Sequence, residues 1–239
     1  MSSERPLAGK ISLVTGGSRG IGLAVARRLA ILGCDLAVCA RHPAGLESAA
    51  RELEPYGVRV FTSCADVSRA NDVNSFVQST RQALGEIDFV VNNAGIGLFL
   101  PGYQATEEQW DTVLDTNLKS VFLVCRAVSP EMIRRKTGHI INISSLAGKN
   151  AFAGGSIYCA SKWGLMGFTQ SLAEDLRVHN IRVSAICPGT VATEFSPHSG
   201  RDPSKMLQAD DIAHAVETIV TQSPHSFISE ILLRPTQKP

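Results

Sequence analysis

A chain of 239 residues that is 44% hydrophobic and 19% charged has the balance of a folded globular domain long enough to bury most of a substantial core. Its net charge of +1, with no cluster of lysine and arginine, gives no electrostatic footprint for nucleic acid or for an anionic membrane surface. Six scattered cysteines without a C-x-x-C pair, six unclustered histidines and the lack of an apolar run of about 18 residues argue against a disulfide framework, a metal site and a membrane span; the expectation is a cytoplasmic protein with reduced, buried thiols.

Residues 1–8 read as a loose tail. After them, apolar runs at 10–15, 35–40, 59–64, 87–92, 139–144, 182–187 and 227–233 have the character of strands buried on both faces. Helix-periodic stretches at 21–32, 45–56, 69–84, 107–135, 157–179 and 210–222 alternate with them. The alternation predicts an α/β fold: a single Rossmann-like doubly wound domain over residues 9–239, with a seven-stranded parallel sheet and helices on both faces. Residues 191–207 break the rhythm, being rich in Ser, Pro, Gly, His and Thr, and predict a substrate loop over the site.

The first strand ends in Thr15-Gly16-Gly17-Ser18-Arg19-Gly20-Ile21-Gly22 and runs straight into a helix. Glycines let the backbone turn tightly and approach a pyrophosphate, and the helix N-terminus offers free N–H groups and a partial positive charge. The spacing, G-x-x-x-G-x-G, departs from the usual dinucleotide fingerprint. About 20 residues further on, where selectivity for NAD calls for a carboxylate, the sequence has Ala40-Arg41. With Arg41 and Arg19 available for charge-assisted hydrogen bonds to a phosphate, the expected cofactor is NADP. Asp66-Val67 follows the third strand, where an Asp suits either an adenine contact or the cap of the next helix. Asn92-Asn93-Ala94-Gly95 ends the fourth, consistent with backbone beside a cofactor and equally with a buried amide joining strands.

Tyr158 and Lys162 stand four residues apart, on one face of a predicted helix. Such a pair is often only an amphipathic surface pair. It can also couple chemically, because an ammonium close to a phenol favours the phenolate and draws its pKa down toward neutrality, where general acid–base catalysis works best.

Taken together, Thr15 to Gly22, Asn92-Asn93-Ala94-Gly95, Asn117, Ser145, Tyr158-x-x-x-Lys162 and Pro188-Gly189 resemble the short-chain dehydrogenase/reductase family, in order from about Gly9 to Thr193. The resemblance implies a tetrad. Tyr158 is the general acid/base, and Lys162 tunes it and binds the nicotinamide ribose. Ser145 hydrogen-bonds the substrate oxygen, and Asn117 holds a water linking Lys162 to solvent. The cofactor contacts it implies are Gly16, Ser18, Arg19, Gly20, Ile21, Gly22, Arg41, Asp66, Val67, Asn93, Ala94, Gly95, Tyr158 and Lys162, with Pro188, Gly189, Val191 and Thr193 closing around the nicotinamide amide. The ending Ile231-Leu232-Leu233-Arg234-Pro235-Thr236, in place of a strand followed by Asp-Gly-Gly, is similar to the branch of NADP-dependent reductases acting on small 3-hydroxy acids and related alcohols.

The expected activity is interconversion of a secondary alcohol and a ketone or aldehyde by hydride transfer on a small-molecule substrate. The alternatives are a 3-oxoacyl-thioester reductase of fatty acid synthesis and, from another class, a non-catalytic NADP-binding sensor. A carrier-protein partner would favour a basic patch, for which Arg126, Arg134, Arg135 and Lys136 are candidates. Lys149, together with an apolar wall of Phe99, Leu100, Phe152 and Phe195, is a candidate for shaping the substrate site. Apolar residues on several faces of the two long helices, Phe122 and Phe168 among them, predict a homodimer or homotetramer.

Overall fold

Seven strands pair in parallel into one sheet: β1 (Ile11–Thr15), β2 (Asp35–Ala40), β3 (Val60–Cys64), β4 (Phe89–Asn92), β5 (His139–Ile143), β6 (Arg182–Pro188) and β7 (Glu230–Leu233). The computed structural model describes residues 5–195 and 202–237. Residues 1–4 of the expected tail and 196–201 of the expected substrate loop therefore lie outside the described residues. The described end of the tail is anchored: Leu7 is buried, its N–H donates to the Leu32 carbonyl at 3.0 Å, and Arg5 donates to the Tyr56 carbonyl.

The strand order is β3-β2-β1-β4-β5-β6-β7. The chain builds outward from β1 to β3, returns past β1 and then builds the other way. Between β1 and β4 the connections diverge to opposite sides, and a crevice opens at their carboxyl ends.

Side-chain alternation along each strand decides which face each residue serves. Val14, Val38, Val91 and Ile141 pack against α1 (Gly20–Ile31), α2 (Pro43–Leu53) and α7 (Ala209–Val220). Their neighbours Leu13, Cys39, Val90 and Ile140 face the other way, against α3 (Ala70–Ala83), α5 (Ser120–Arg135) and α6 (Ser156–Arg177). The strands read as unbroken apolar runs because both faces are covered. Among the described residues no helix is long and apolar enough to cross a membrane.

The expected helix over 107–135 is interrupted. It consists of α4 (Glu107–Leu114), started by a reciprocal Thr106–Gln109 capping box, then a single wide π turn at Asp115–Lys119, then α5. The apolar periodicity runs through the whole stretch, so it gives no sign of the one extra residue in the turn. The expected last strand is also shorter than 227–233, because the backbone joins β6 only from Glu230. Of the six cysteines, five are buried as expected, and Cys64 at the end of β3 is exposed.

Three buried polar groups tie the far side of the sheet together. His139 Nε2 lies 2.7 Å from Ser184 Oγ, and that hydroxyl donates to the Ile228 carbonyl at 2.5 Å. Since the serine proton is already given away, the imidazole must be the donor at Nε2, which leaves Nδ1 bare and buried. Burial, helped by the nearby charge of Arg182, pulls the His139 pKa down to about 3, so the ring is neutral.

Candidate active site

A cleft of about 1410 Å³ lies over the carboxyl ends of the strands, where the strand order reverses. Its floor at the β1 end is the turn Gly16 to Ile21. Gly16 has φ +64, and a Cβ there would sit 2.9 Å from the Ala94 Cα; one on Gly22 would sit 2.3 Å from the Gly16 carbonyl oxygen. Gly22 does not line the cleft but lets α1 begin against the turn. The turn is held from the β4 side: the Asn93 amide donates to the Thr15 and Gly16 carbonyls at 3.0 Å each, and the Thr15 hydroxyl accepts the N–H groups of Asn93 and Ala94. Asn92 is the buried amide joining strands, bonding Asn142 across to β5, while Asn93, Ala94 and Gly95 line the cleft.

Helix α1 starts at this turn without a side-chain cap, so its first N–H groups remain available to a ligand. Ser18, Arg19 and Gly20 line the cleft above them. The exposed Arg19 guanidinium forms an ion pair with Glu194 from the loop after β6, a contact that spans the mouth of the cleft. Farther along, Arg41, Asp66 and Val67 form the opposite wall, with no carboxylate at the end of β2. Burial works against the charge of Asp66. Hydrogen bonds from the Ser68 hydroxyl and amide, with the charges of Arg69 and Arg41, outweigh it and hold the carboxyl below its usual range. The carboxylate thus shapes the turn into α3 while its residue faces the cleft.

At the other end the chemistry-bearing side chains converge. Ser145 follows β5, its hydroxyl accepting the Ala147 N–H at 3.1 Å, and Tyr158 and Lys162 lie on the first turns of α6. All three line the cleft beside Pro188, Gly189, Val191 and Thr193. Ser144 is buried too, with its hydroxyl toward the Cys187 thiol, whereas the Ser145 side chain is the one in contact with the Tyr158 phenol.

Burial pushes the Tyr158 phenol up to about 12, with the Ser145 contact opposing the rise. This reverses the direction expected from the Tyr–Lys spacing. Lys162 donates to the Ile143 carbonyl at 3.0 Å and sits 5.8 Å from the Tyr158 ring centroid, but removing a phenol from water is the larger effect. Burial also pulls the Lys162 ammonium down to about 8.

Asn117 sits in the π turn, behind the cleft wall. Its amide oxygen accepts the Ile96 N–H at 2.8 Å, and its amide nitrogen donates to the Ile96 carbonyl at 2.9 Å and the Ser161 hydroxyl at 3.1 Å. Its amide therefore clamps the loop after β4 to α6.

Sequence and fold place this chain among known proteins. A family model described as short chain dehydrogenase matches residues 10–204. The chain belongs to the short-chain dehydrogenase family. Members of the family are oxidoreductases that use nicotinamide cofactors. The chain is 38% identical over 192 residues to dehydrogenase/reductase SDR family member 4 of Oryctolagus cuniculus, covering 80% of this chain and 74% of the relative. It is 39% identical over 191 residues to the 3-oxoacyl-acyl-carrier-protein reductase of Chlamydia muridarum, covering 80% and 77%. Among solved structures, a metagenomic short-chain oxidoreductase in complex with NADP is 42% identical, with a TM-score of 0.87 over 98% of this chain and 100% of that one. An NAD+-bound xylitol dehydrogenase is 29% identical, with a TM-score of 0.87 over 95% and 98%.

Within this short-chain dehydrogenase, sequence reasoning passed over two parts of the site. Ser161 is fully buried and links Tyr158 to Asn117, donating to the Tyr158 carbonyl at 2.7 Å while accepting from Asn117. Its position three residues after Tyr158 on the same helical face was the available signal. The segment Arg234 to Gln237 also lines the cleft, because β7 pairs with β6 and delivers Pro235 beside Gly189. Two residues considered for the substrate end stand elsewhere: Leu100 does not line the cleft, and Lys149 is paired with Glu230 at 2.9 Å.

Proposed function

We propose that this chain is an NADP-dependent oxidoreductase that interconverts a secondary alcohol and a ketone or aldehyde, with Tyr158 as general acid/base. The observation that carries the reading is the convergence of Tyr158, Ser145 and Lys162 at one end of a cleft whose other end is a phosphate-ready glycine turn. The chain's residues fit a nicotinamide dinucleotide: α1 starts without a side-chain cap, and Gly16, Ser18, Arg19, Gly20 and Ile21 line the cleft at that start. Gly16 to Gly22 would hold the pyrophosphate, Arg41 and Arg19 the 2′-phosphate, and Asp66 and Val67 the adenine. Asn93 to Gly95, Lys162 and the segment Pro188 to Thr193 would hold the nicotinamide half. When bound, that cofactor supplies the hydride.

The protein supplies the proton and the charge stabilisation. A phenol with a pKa of about 12 keeps its proton at neutral pH, so the resting site holds Tyr158 in the acid form that carbonyl reduction draws on. The Tyr158 phenol gives its proton to the carbonyl oxygen while the Ser145 hydroxyl donates a hydrogen bond to the same oxygen. Lys162, still mostly cationic at neutral pH, stabilises the phenolate left behind. Asn117 and Ser161 keep α6 and the loop after β4 in register around these groups.

Binding of NADPH and NADH by the purified protein, followed by NADPH oxidation over a broad carbonyl panel, tests the assignment. Tyr158→Phe should keep NADPH binding and lose turnover by roughly 100-fold or more. Reduction should also weaken above about pH 8 as Lys162 loses its proton. Tight NADPH binding with no turnover on any carbonyl would leave a non-catalytic sensor as the better account. The thioester-reductase alternative would rest on Arg126 and Lys136, which are exposed, because the other two cations of its expected patch are engaged in ion pairs. Arg134 pairs with Glu86, Arg135 with Asp88 and Glu131, and Arg126 lies over the Phe122 ring. The free cysteines suit a reducing compartment, and we place the enzyme in the cytoplasm, which fractionation of the source cells would check.

A further inference from the structure

Two phenylalanines flank the Tyr158 ring at the substrate end of the cleft, and a third packs behind one of them. Phe99 meets it edge-on with centroids 5.4 Å apart, Phe195 approaches from the loop after β6 at 5.9 Å, and Phe152 packs on Phe99 at 6.2 Å. They come from three separate connections, after β4, after β5 and after β6. The backbone makes room for each ring. A Cβ on Gly97 would lie 2.7 Å from the Phe99 ring and 3.2 Å from that of Phe195, and one on Gly155 would lie 2.4 Å from the Phe152 ring. All three line the cleft, yet they remain 41%, 47% and 42% exposed for Phe99, Phe152 and Phe195. Large aromatic surface left open inside a concave site is the mark of a place a ligand covers.

Resting on the oxidoreductase reading above, we propose that the substrate is an aryl ketone, or the matching aryl carbinol, whose flat ring docks against Phe99, Phe152 and Phe195 while its carbonyl oxygen meets Ser145 and Tyr158. Aromatic pairs with centroids 4.5–7 Å apart gain beyond the area they bury, so these rings discriminate a planar group from an aliphatic one of equal size. The polar groups nearby fit a substrate without an acidic head. Lys149 is turned away into its ion pair with Glu230, and beyond Ser144 and Ser145 the loop between β5 and α6 lines the cleft with no charged side chain, only Asn150 and the apolar Leu146, Ala147, Ala151 and Ala153 around Phe152. Arg234, following β7, is the cation that a carboxylate substrate would seek instead.

The test uses the full chain with saturating NADPH and compares kcat/KM for acetophenone, 2-butanone, acetoacetate and an acetoacetyl thioester. Acetophenone should lead, and the ratio of acetophenone to 2-butanone should fall roughly tenfold in Phe152→Leu, which keeps apolar volume but removes the flat face. Saturation-transfer NMR on the unaltered protein with 1-phenylethanol gives a readout independent of turnover, with the ring protons expected to receive more saturation than the methyl group. Acetoacetate or the thioester leading, an unchanged ratio in Phe152→Leu, or saturation centred on the methyl group would each overturn the proposal. Turnover of small ketones without aryl preference sinks only the substrate class, whereas NADPH binding with no carbonyl turned over sinks the oxidoreductase reading as well.

Discussion

Lowering the pH should unfold this protein through His139. Its imidazole is buried and neutral in the folded state, with a pKa of about 3, whereas in the unfolded chain it titrates near 6.5. The unfolded state binds the proton first, so the contribution is fully present above pH 6.5 and is lost as the pH falls toward 3. Between pH 6.5 and 4.5 the loss is roughly 2 kcal/mol, since the full slope of 1.36 kcal/mol per pH unit is reached only well below pH 6.5. With a urea slope of about 3 kcal/mol per molar for a chain of this size, the midpoint should drop by about 0.7 M. The assay is a set of urea titrations followed by far-UV circular dichroism across that window, on the wild type and on His139→Gln. The glutamine amide can still donate to Ser184 Oγ but does not titrate. The variant is expected to start less stable and to lose most of the slope with pH. An equal slope in both proteins would refute the argument, because it would place the responsible proton elsewhere. The site is sensitive to this group because His139, Ser184 and the Ile228 carbonyl pin together β5, β6 and the approach to β7, whose ends carry Ser145, Pro188 and Arg234.

Arg41→Asp should invert cofactor preference, cutting NADPH affinity by about 10- to 100-fold and sparing NADH, since a charge-assisted hydrogen bond is worth about 1.5–3 kcal/mol; calorimetric titration with both nucleotides checks it, and an unchanged ratio would remove Arg41 from the 2′-phosphate site. Glu194→Gln should tighten NADPH binding by no more than about fivefold at low salt, because it frees Arg19 from an exposed ion pair worth under about 1 kcal/mol; weaker binding would mean that Glu194 helps the ligand. Phe122, 43% exposed and edge-on to Phe168 at 6.4 Å, marks the face through which we expect a homodimer or homotetramer. Sedimentation should show Phe122→Asp shifted toward monomer, and a monomeric wild type at micromolar concentration would end that idea.

The sheet was legible in the sequence because a strand covered on both faces is written as a continuous apolar run, and seven such runs match the seven strands to within a few residues. The glycine turn was legible for the same local reason, since strand, turn and helix follow one another directly. Long-range consequences were not. No spacing rule shows that Lys149 finds Glu230 some eighty residues away, or that parallel pairing of β7 with β6 carries Arg234 to Pro235 back over the cleft. The direction of the Tyr158 shift was also out of reach, because the Tyr–Lys spacing reports a charge partner but not the burial that outweighs it.

The π turn at Asp115–Lys119 shows the limit most clearly. An α-helix continued through these residues would advance about 100° per residue without interruption, and the apolar pattern of Val113, Val121 and Val124 is compatible with that. One inserted residue widens the backbone at Asn117 and rotates everything after it relative to α4. The gain from that widening is the set of three hydrogen bonds by which a buried amide joins the backbone of Ile96 to the hydroxyl of Ser161. At about 1 kcal/mol each, with a buried donor and acceptor left unsatisfied otherwise, those bonds offset the poorer geometry of a π turn. The turn thus sits where the loop after β4, the start of α5 and the Tyr158-bearing helix must be fixed to one another. That explains why a π turn lies directly behind the part of the cleft lined by Tyr158 and Lys162.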